Sequence, residues 1–181
     1  MTQLGRLATL LVLVLQITAC GDPFEPILAP VPEPEEVQLN DFTDGSLLDP
    51  AAFDLFSVSA VRTDLSTSWD FVFAVDPVLG PTLQAREAVL GLDSDAGFQD
   101  PGEEFEAVTS VPEGGYAGSA PLPVTVGTVL AMRSRRNPGF STRCRVYGKL
   151  EVVSIEGAPA VATIRHVVNP NCERRDVEPG D

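Results

Sequence analysis

The chain has 181 residues, enough for one domain of ordinary size, and its 44% apolar content supports a packed core rather than wholesale disorder. Twelve basic side chains against 26 acidic ones give a formal net charge of −14, which argues against binding to nucleic-acid backbones. One histidine and three cysteines exclude most metal-ligand clusters before any motif is sought.

Met1 to Arg6 carry one positive charge, and Leu7 to Ile17 follow as an apolar run broken only by Thr9 and Gln16. That run is too short to cross a bilayer, which takes roughly 20 apolar residues, and it suits the hydrophobic region of a signal peptide. It closes on Ile17-Thr18-Ala19-Cys20, small residues leading into a cysteine. The segment resembles the lipobox of bacterial lipoproteins. The resemblance implies that residues 1–19 are a removable signal peptide and that Cys20 becomes the acylated first residue of the mature chain. The localisation it implies is the cell envelope, with the protein anchored by lipid to a membrane and facing the periplasm or the exterior.

Residues 20–36 then read as a tether. Between Gly21 and Glu36 stand Pro23, Pro26, Pro30, Pro32 and Pro34, interleaved with Asp22, Glu25, Glu33, Glu35 and Glu36. Dense proline fixes φ and removes donors while like charges repel, so the stretch is expected to be disordered and extended. At about 3.1 Å per residue, it would hold a domain up to roughly 50 Å from the membrane.

Residues 37–181 read as a single mainly β domain, an antiparallel β-sandwich or barrel-like fold with one or two short helical turns. In Trp69-Asp70-Phe71-Val72-Phe73-Ala74-Val75, period-two alternation places Trp69, Phe71, Phe73 and Val75 on one face. Valine-rich runs recur at 52–62, 82–90, 122–132, 145–155 and 160–168, separated by turn-formers such as Asp64–Ser68, Pro77–Pro81 and Glu113–Gly118. Asp49-Pro50 and Asp100-Pro101 each set an N-cap acid before a proline, the signature of a helical turn.

The last hairpin can be argued in register. A three-residue turn at 157–159 sets Leu150 opposite His166, Val152 opposite Ile164 and Gly148 opposite Val168, and it pairs Glu151 with Arg165 across the strands. The same register brings Cys144 opposite Cys172. With Cys20 consumed by lipid, these two can pair in only one way, in a compartment where disulfides persist.

Charge is divided unevenly. Residues 20–132 hold only Arg62 and Arg86 against twenty acids, a net of −18, whereas residues 133–181 carry nine basic groups against six acids, a net of +3. Arg133, Arg135, Arg136, Arg143 and Arg145 flank Asn137-Pro138-Gly139. They read either as a patch that grips phosphate or carboxylate groups or as an edge that pairs with the protein's own acidic half.

Nucleophilic catalysis needs a base beside the nucleophile. The one imidazole, His166, alternates with Ala162, Ile164 and Val168 on an apolar face, which reads as core, and no nucleophile elbow, P-loop or metalloprotease motif is present. Asp93, Asp95 and Glu104 stand at positions one, three and twelve of a calcium-loop spacing, but Phe98 occupies the sixth position, where the turn requires glycine. The order of lipobox, acidic tether and the Trp69–Phe73 strand is similar to β-rich haem-capturing surface lipoproteins. That similarity implies His166 and Met132 as axial ligands, although strand parity also turns Met132 toward the core. No cofactor is expected, with calcium the one cation the spacing would admit. The function expected is a non-enzymatic binding or assembly module whose partner is the membrane, an envelope protein or an anionic envelope lipid. The alternative is a surface lipoprotein that binds a small ligand or metal.

Overall fold

The computed structural model describes residues 28–44, 48–137 and 144–180. The signal segment, Cys20 and Arg143 lie outside the described residues. Among the described residues, ten strands form two five-stranded sheets, every strand pairing antiparallel to its neighbours. The strands are β1 Glu35–Asn40, β2 Ala52–Asp54, β3 Ser59–Val61, β4 Phe71–Asp76, β5 Gly80–Ala85, β6 Gly97–Gln99, β7 Leu122–Pro123, β8 Val129–Arg133, β9 Tyr147–Glu156 and β10 Val161–Asn169. Sheet A runs β1-β10-β9-β8-β6 and sheet B runs β3-β2-β4-β5-β7. Among the described residues one short helix, α1, spans Arg86–Leu90.

The sheets pack face to face as a β-sandwich. Leu39, Leu130, Met132, Leu150, Val152, Ile164 and Val168 of sheet A meet Phe53, Phe71, Phe73 and Leu83 of sheet B in one apolar core. Fully burying a side chain of this size contributes roughly 1.5–3 kcal/mol, so this layer supplies most of the driving force. Both sheets also carry a smaller core on their outer faces. Outside sheet A, Ala131, Tyr147 and Val167 are covered by Phe105, Val108 and Val111 and by Val31 and Val177 near the two ends of the chain. Outside sheet B, Trp69 packs with Ala52 and Val72, and Phe42, Val61 and Val89 of α1 close over them.

The final hairpin keeps the expected register from Gly148–Val168 through Leu150–His166, Glu151–Arg165 and Val152–Ile164. Beyond that point Ser154 pairs with Thr163, leaving Val153 as an extra residue on β9. A bulge of this kind shifts the ladder by one, so the connection is the four residues 157–160 rather than the expected 157–159. Gly157 takes φ of 86° there, a conformation that favours glycine. Gly148 is held to glycine by crowding: a Cβ would stand 2.5 Å from the Val167 carbonyl and 3.0 Å from the Met132 methyl. Cys144 and Cys172 form the disulfide, 28 residues apart with Cα atoms separated by 4.9 Å.

Several expectations are corrected. The helical turns at Asp49-Pro50 and Asp100-Pro101 do not form, and the helix follows β5 instead, where Arg86-Glu87-Ala88-Val89-Leu90 ends the run read as strand at 82–90. The 52–62 run folds into β2 and β3, joined by a turn in which the Asp54 carboxylate accepts from the Phe56 N–H at 3.1 Å and the Ser57 hydroxyl at 2.9 Å. Trp69 is buried but does not share a face with Phe71 and Phe73. It precedes β4 and turns to the outer side with Val72. The domain also begins before Val37, since Glu35 and Glu36 pair with His166 and Arg165 in β1. Val31 is buried, and Ala29 exchanges hydrogen bonds with the Asn171 side chain at 2.8 and 2.9 Å. Strand pairing and burial outweigh the proline and charge pattern over residues 28–36.

Candidate functional site: an arginine-lined cleft at the β4–β8 end

The site is built around Asp70. This residue sits just before β4 and is 1% exposed. Its backbone N–H donates to the Phe53 carbonyl at 2.8 Å, and its own carbonyl accepts from the Arg86 N–H at 2.9 Å. Arg86 is therefore placed one step past the Phe71–Ala85 pair that ends the β4–β5 ladder. The Asp70 carboxylate turns inward to accept from the Leu55 N–H and the Arg135 N–H, each at 2.7 Å.

Arg135 follows β8 and crosses from sheet A to sheet B. Its guanidinium lies 3.0 Å from Asp70 and 2.9 Å from Asp54, and it stacks 5.3 Å over the Phe56 ring. The buried Ser134 fixes the preceding turn, accepting from the Val146 N–H at 3.0 Å and donating to the Arg135 carbonyl at 2.7 Å. Burial pushes the Asp70 carboxyl up, and the Arg135 charge and the two N–H donors oppose that push.

Two more of the predicted arginines are drawn into similar pairs. Arg136 and Arg145 both engage Asp95, the latter at 3.3 Å, and Arg145 also lies 3.8 Å from Glu173. Burial opposes the charge on Asp95, but Arg136 and Arg145 outweigh it and hold the carboxyl below its ordinary range. Arg133 donates from Nε to the Asp95 carbonyl at 2.8 Å and stacks 4.8 Å over Tyr116. Of the two readings of this edge, pairing with the acidic half accounts for Arg135, Arg136 and Arg145.

Arg86 is different. It donates to the Thr67 carbonyl and lies 3.4 Å from the Trp69 carbonyl, with its guanidinium 5.1 Å over the Trp69 ring. No carboxylate lies within 4 Å of it among the described residues. Burial lowers its pKa, the nearby Arg135 adds to that effect, and Asp70 counters both. Arg86, Arg135 and Arg136 together line an open polar cleft of about 600 Å³, completed by Thr67, Ser68, Asp93, Ser94, Asp95 and Asn137.

The remaining predicted residues lie apart. Asp93 and Asp95 border the arginine cleft, whereas Glu104 lines a separate cleft of about 530 Å³ with Asp100 and Glu103. Asp95 is committed to two arginines, and the three residues do not converge on one point. Among the described residues, no group of three or more His, Cys, Asp or Glu side chains is placed to hold a metal ion. His166 stacks 4.8 Å from Phe53 in the inter-sheet region, and Met132 is buried among the core side chains. Burial lowers the His166 pKa, with Glu35 opposing.

Sequence reasoning missed Asp54, Asp70 and Arg86 as site residues. One signal pointed to Arg86, since it is one of only two basic residues among twenty acids in residues 20–132. Asp70 carried a weaker one, as a charged residue inside an aromatic strand.

Comparisons with protein-family models, with curated proteins and with solved structures find no match.

Proposed function

We propose that the protein is a lipid-anchored, non-enzymatic binding module of the cell envelope, and that its ligand is an anion held in the Arg86–Arg135–Arg136 cleft. The observation that carries this reading is Arg86, a partly buried guanidinium at the cleft wall with carbonyl partners and, among the described residues, no carboxylate within 4 Å, the more distant Asp70 being the acid that offsets its charge. Desolvating a cation that no carboxylate contacts is costly, and an arriving carboxylate or phosphate would offset that cost with charge-assisted hydrogen bonds. Arg135 and the buried Asp70 keep the wall rigid, so little ordering is required on binding. The burial of the only histidine against Phe53 supports a binding role over general acid–base catalysis.

Calorimetric titration of the whole chain with inorganic phosphate and with acetate tests the site. Saturable, salt-sensitive binding that Arg86→Gln removes is expected, and equal heats from both proteins would reject it. The anchor is tested separately. Cys20→Ala should move the protein from the membrane fraction to the soluble one, and unchanged membrane retention would reject lipidation at Cys20.

A further inference from the structure

A second cleft opens beside the first. It has a volume of about 340 Å³, and its lining combines Phe42, Trp69, Val89 and Leu90 with the polar residues Thr63, Ser66 and Thr67 and with Asp64, whose carboxylate is paired with Arg62 at 2.7 Å. The size is at the low end for small-molecule sites, which are typically about 300–1,000 Å³ and apolar with a few placed polar groups. The two clefts share Thr67 and Arg86. Arg86 thus lies on the boundary between an apolar recess and a polar one, with its guanidinium over the ring of the recess's largest side chain. Leu90 is half exposed on the recess wall, and Leu65 and Leu92 are exposed in the neighbouring chain segments.

From this juxtaposition we infer that the site takes a small amphipathic anion, a carboxylate or phosphate head on a single apolar chain. The head would sit against Arg86 and the chain in the Phe42–Trp69–Val89–Leu90 recess. The inference rests on the anion-binding reading above and narrows it. Charge complementarity selects the head, because Arg86 is the cation of the cleft with no carboxylate within 4 Å among the described residues. The apolar lining selects the chain, because a purely polar anion would leave the recess wet and gain nothing from Trp69 and Val89.

Trp69 is the only tryptophan in the sequence, so its emission reports this recess alone. The whole chain is titrated with 11-bromoundecanoate below its micelle concentration, and bromine quenching of Trp69 is followed. Saturable quenching is expected, with at least tenfold weaker binding for the uncharged 11-bromoundecanol and for the Arg86→Gln protein. Leu90→Gln, an uncharged change at an exposed position of the same recess, should weaken the brominated acid at least tenfold while leaving the phosphate titration unchanged. Equal affinity for the acid and the alcohol would overturn the inference in favour of an apolar pocket. Phosphate bound as tightly as the acid would overturn it while leaving the anion-binding reading intact. Quenching by brominated phospholipid bilayers but not by the free acid would also overturn it. Failure of phosphate, acetate and the brominated acid alike would remove both readings.

Discussion

Replacing Arg135 by leucine should expose how much of the fold depends on one inter-sheet ion cluster. The guanidinium lies 2.9 and 3.0 Å from Asp54 and Asp70, and Asp70 is 1% exposed. Removing one partner of a buried pair typically costs about 3–5 kcal/mol, since the remaining charge has no compensation. For a domain of this size, each kcal/mol lowers Tm by about 2–4 °C, so a fall of roughly 10 °C is expected at neutral pH. The sign of the pH dependence follows from burial. Without Arg135 the folded Asp70 pKa stands above its unfolded value, so Asp70 favours folding below about pH 3.9 and this contribution is lost as pH rises through the folded value. The stability gap between Arg135→Leu and the parent should therefore narrow as pH is lowered toward 4. Arg135→Leu combined with Asp70→Asn should recover part of the loss at pH 7. Thermal melts at pH 7 read the fall in Tm, and urea unfolding of the three proteins at pH 7 and pH 4.5 reads the free-energy differences. A single-variant loss under about 1 kcal/mol, or a gap that does not change with pH, would show that Arg135 does not compensate a buried Asp70 charge.

His166 has a folded pKa below its unfolded value, so stability is full above about pH 6.5 and falls as pH drops through the folded value, by up to about 1.4 kcal/mol per pH unit. His166→Leu should flatten that slope in urea melts between pH 7.5 and pH 5, and an unchanged slope would place the titration elsewhere. Breaking the Cys144–Cys172 bridge by paired alanine substitution frees a 28-residue loop. The loop-entropy model then sets the loss at roughly 3–4 kcal/mol, and an unchanged denaturation midpoint would contradict it. Lys149 is 3% exposed and donates to the Phe105 and Val108 carbonyls at 3.0 and 2.8 Å. Lys149→Met should leave both carbonyls short of a donor, costing about 1–3 kcal/mol and accelerating amide exchange over residues 105–111. Protection as strong as in the parent would show that the lysine does not hold that loop.

The β class and the last hairpin were legible because their signals are local. Alternation over β9 and β10, the Glu151–Arg165 pair and two cysteines at matching offsets all agreed on one register. What escaped depended on distant chain meeting itself. Lys149 is charged at a position where outward-facing alternation reads as solvent, yet the 105–111 loop folds over it and gives it two carbonyls. Trp69 matched the parity of Phe71 and Phe73, but the burial of the Asp70 side chain at the start of β4 sets the backbone there, and the ring packs on the outer face. Residues 28–36 read as tether because proline and charge dominate their composition. Nothing in that composition announces that Val31 and the Ala29 backbone find partners beside Asn171. The arginine edge was visible as charge, whereas its division into Arg135, Arg136 and Arg145 with internal partners and Arg86 without a carboxylate is a property of the fold.

Anion recognition at Arg86 is read out by amide and arginine-side-chain NMR spectra of the whole chain recorded with and without 11-bromoundecanoate. Shifts are expected to be confined to residues 65–69, 86–90, 93–95 and 134–137, with the Arg86 Nε–H resonance moving furthest. Shifts centred on the Asp100–Glu104 cleft or on the Lys149 face, or an Arg86 resonance that does not move, would contradict anion recognition there.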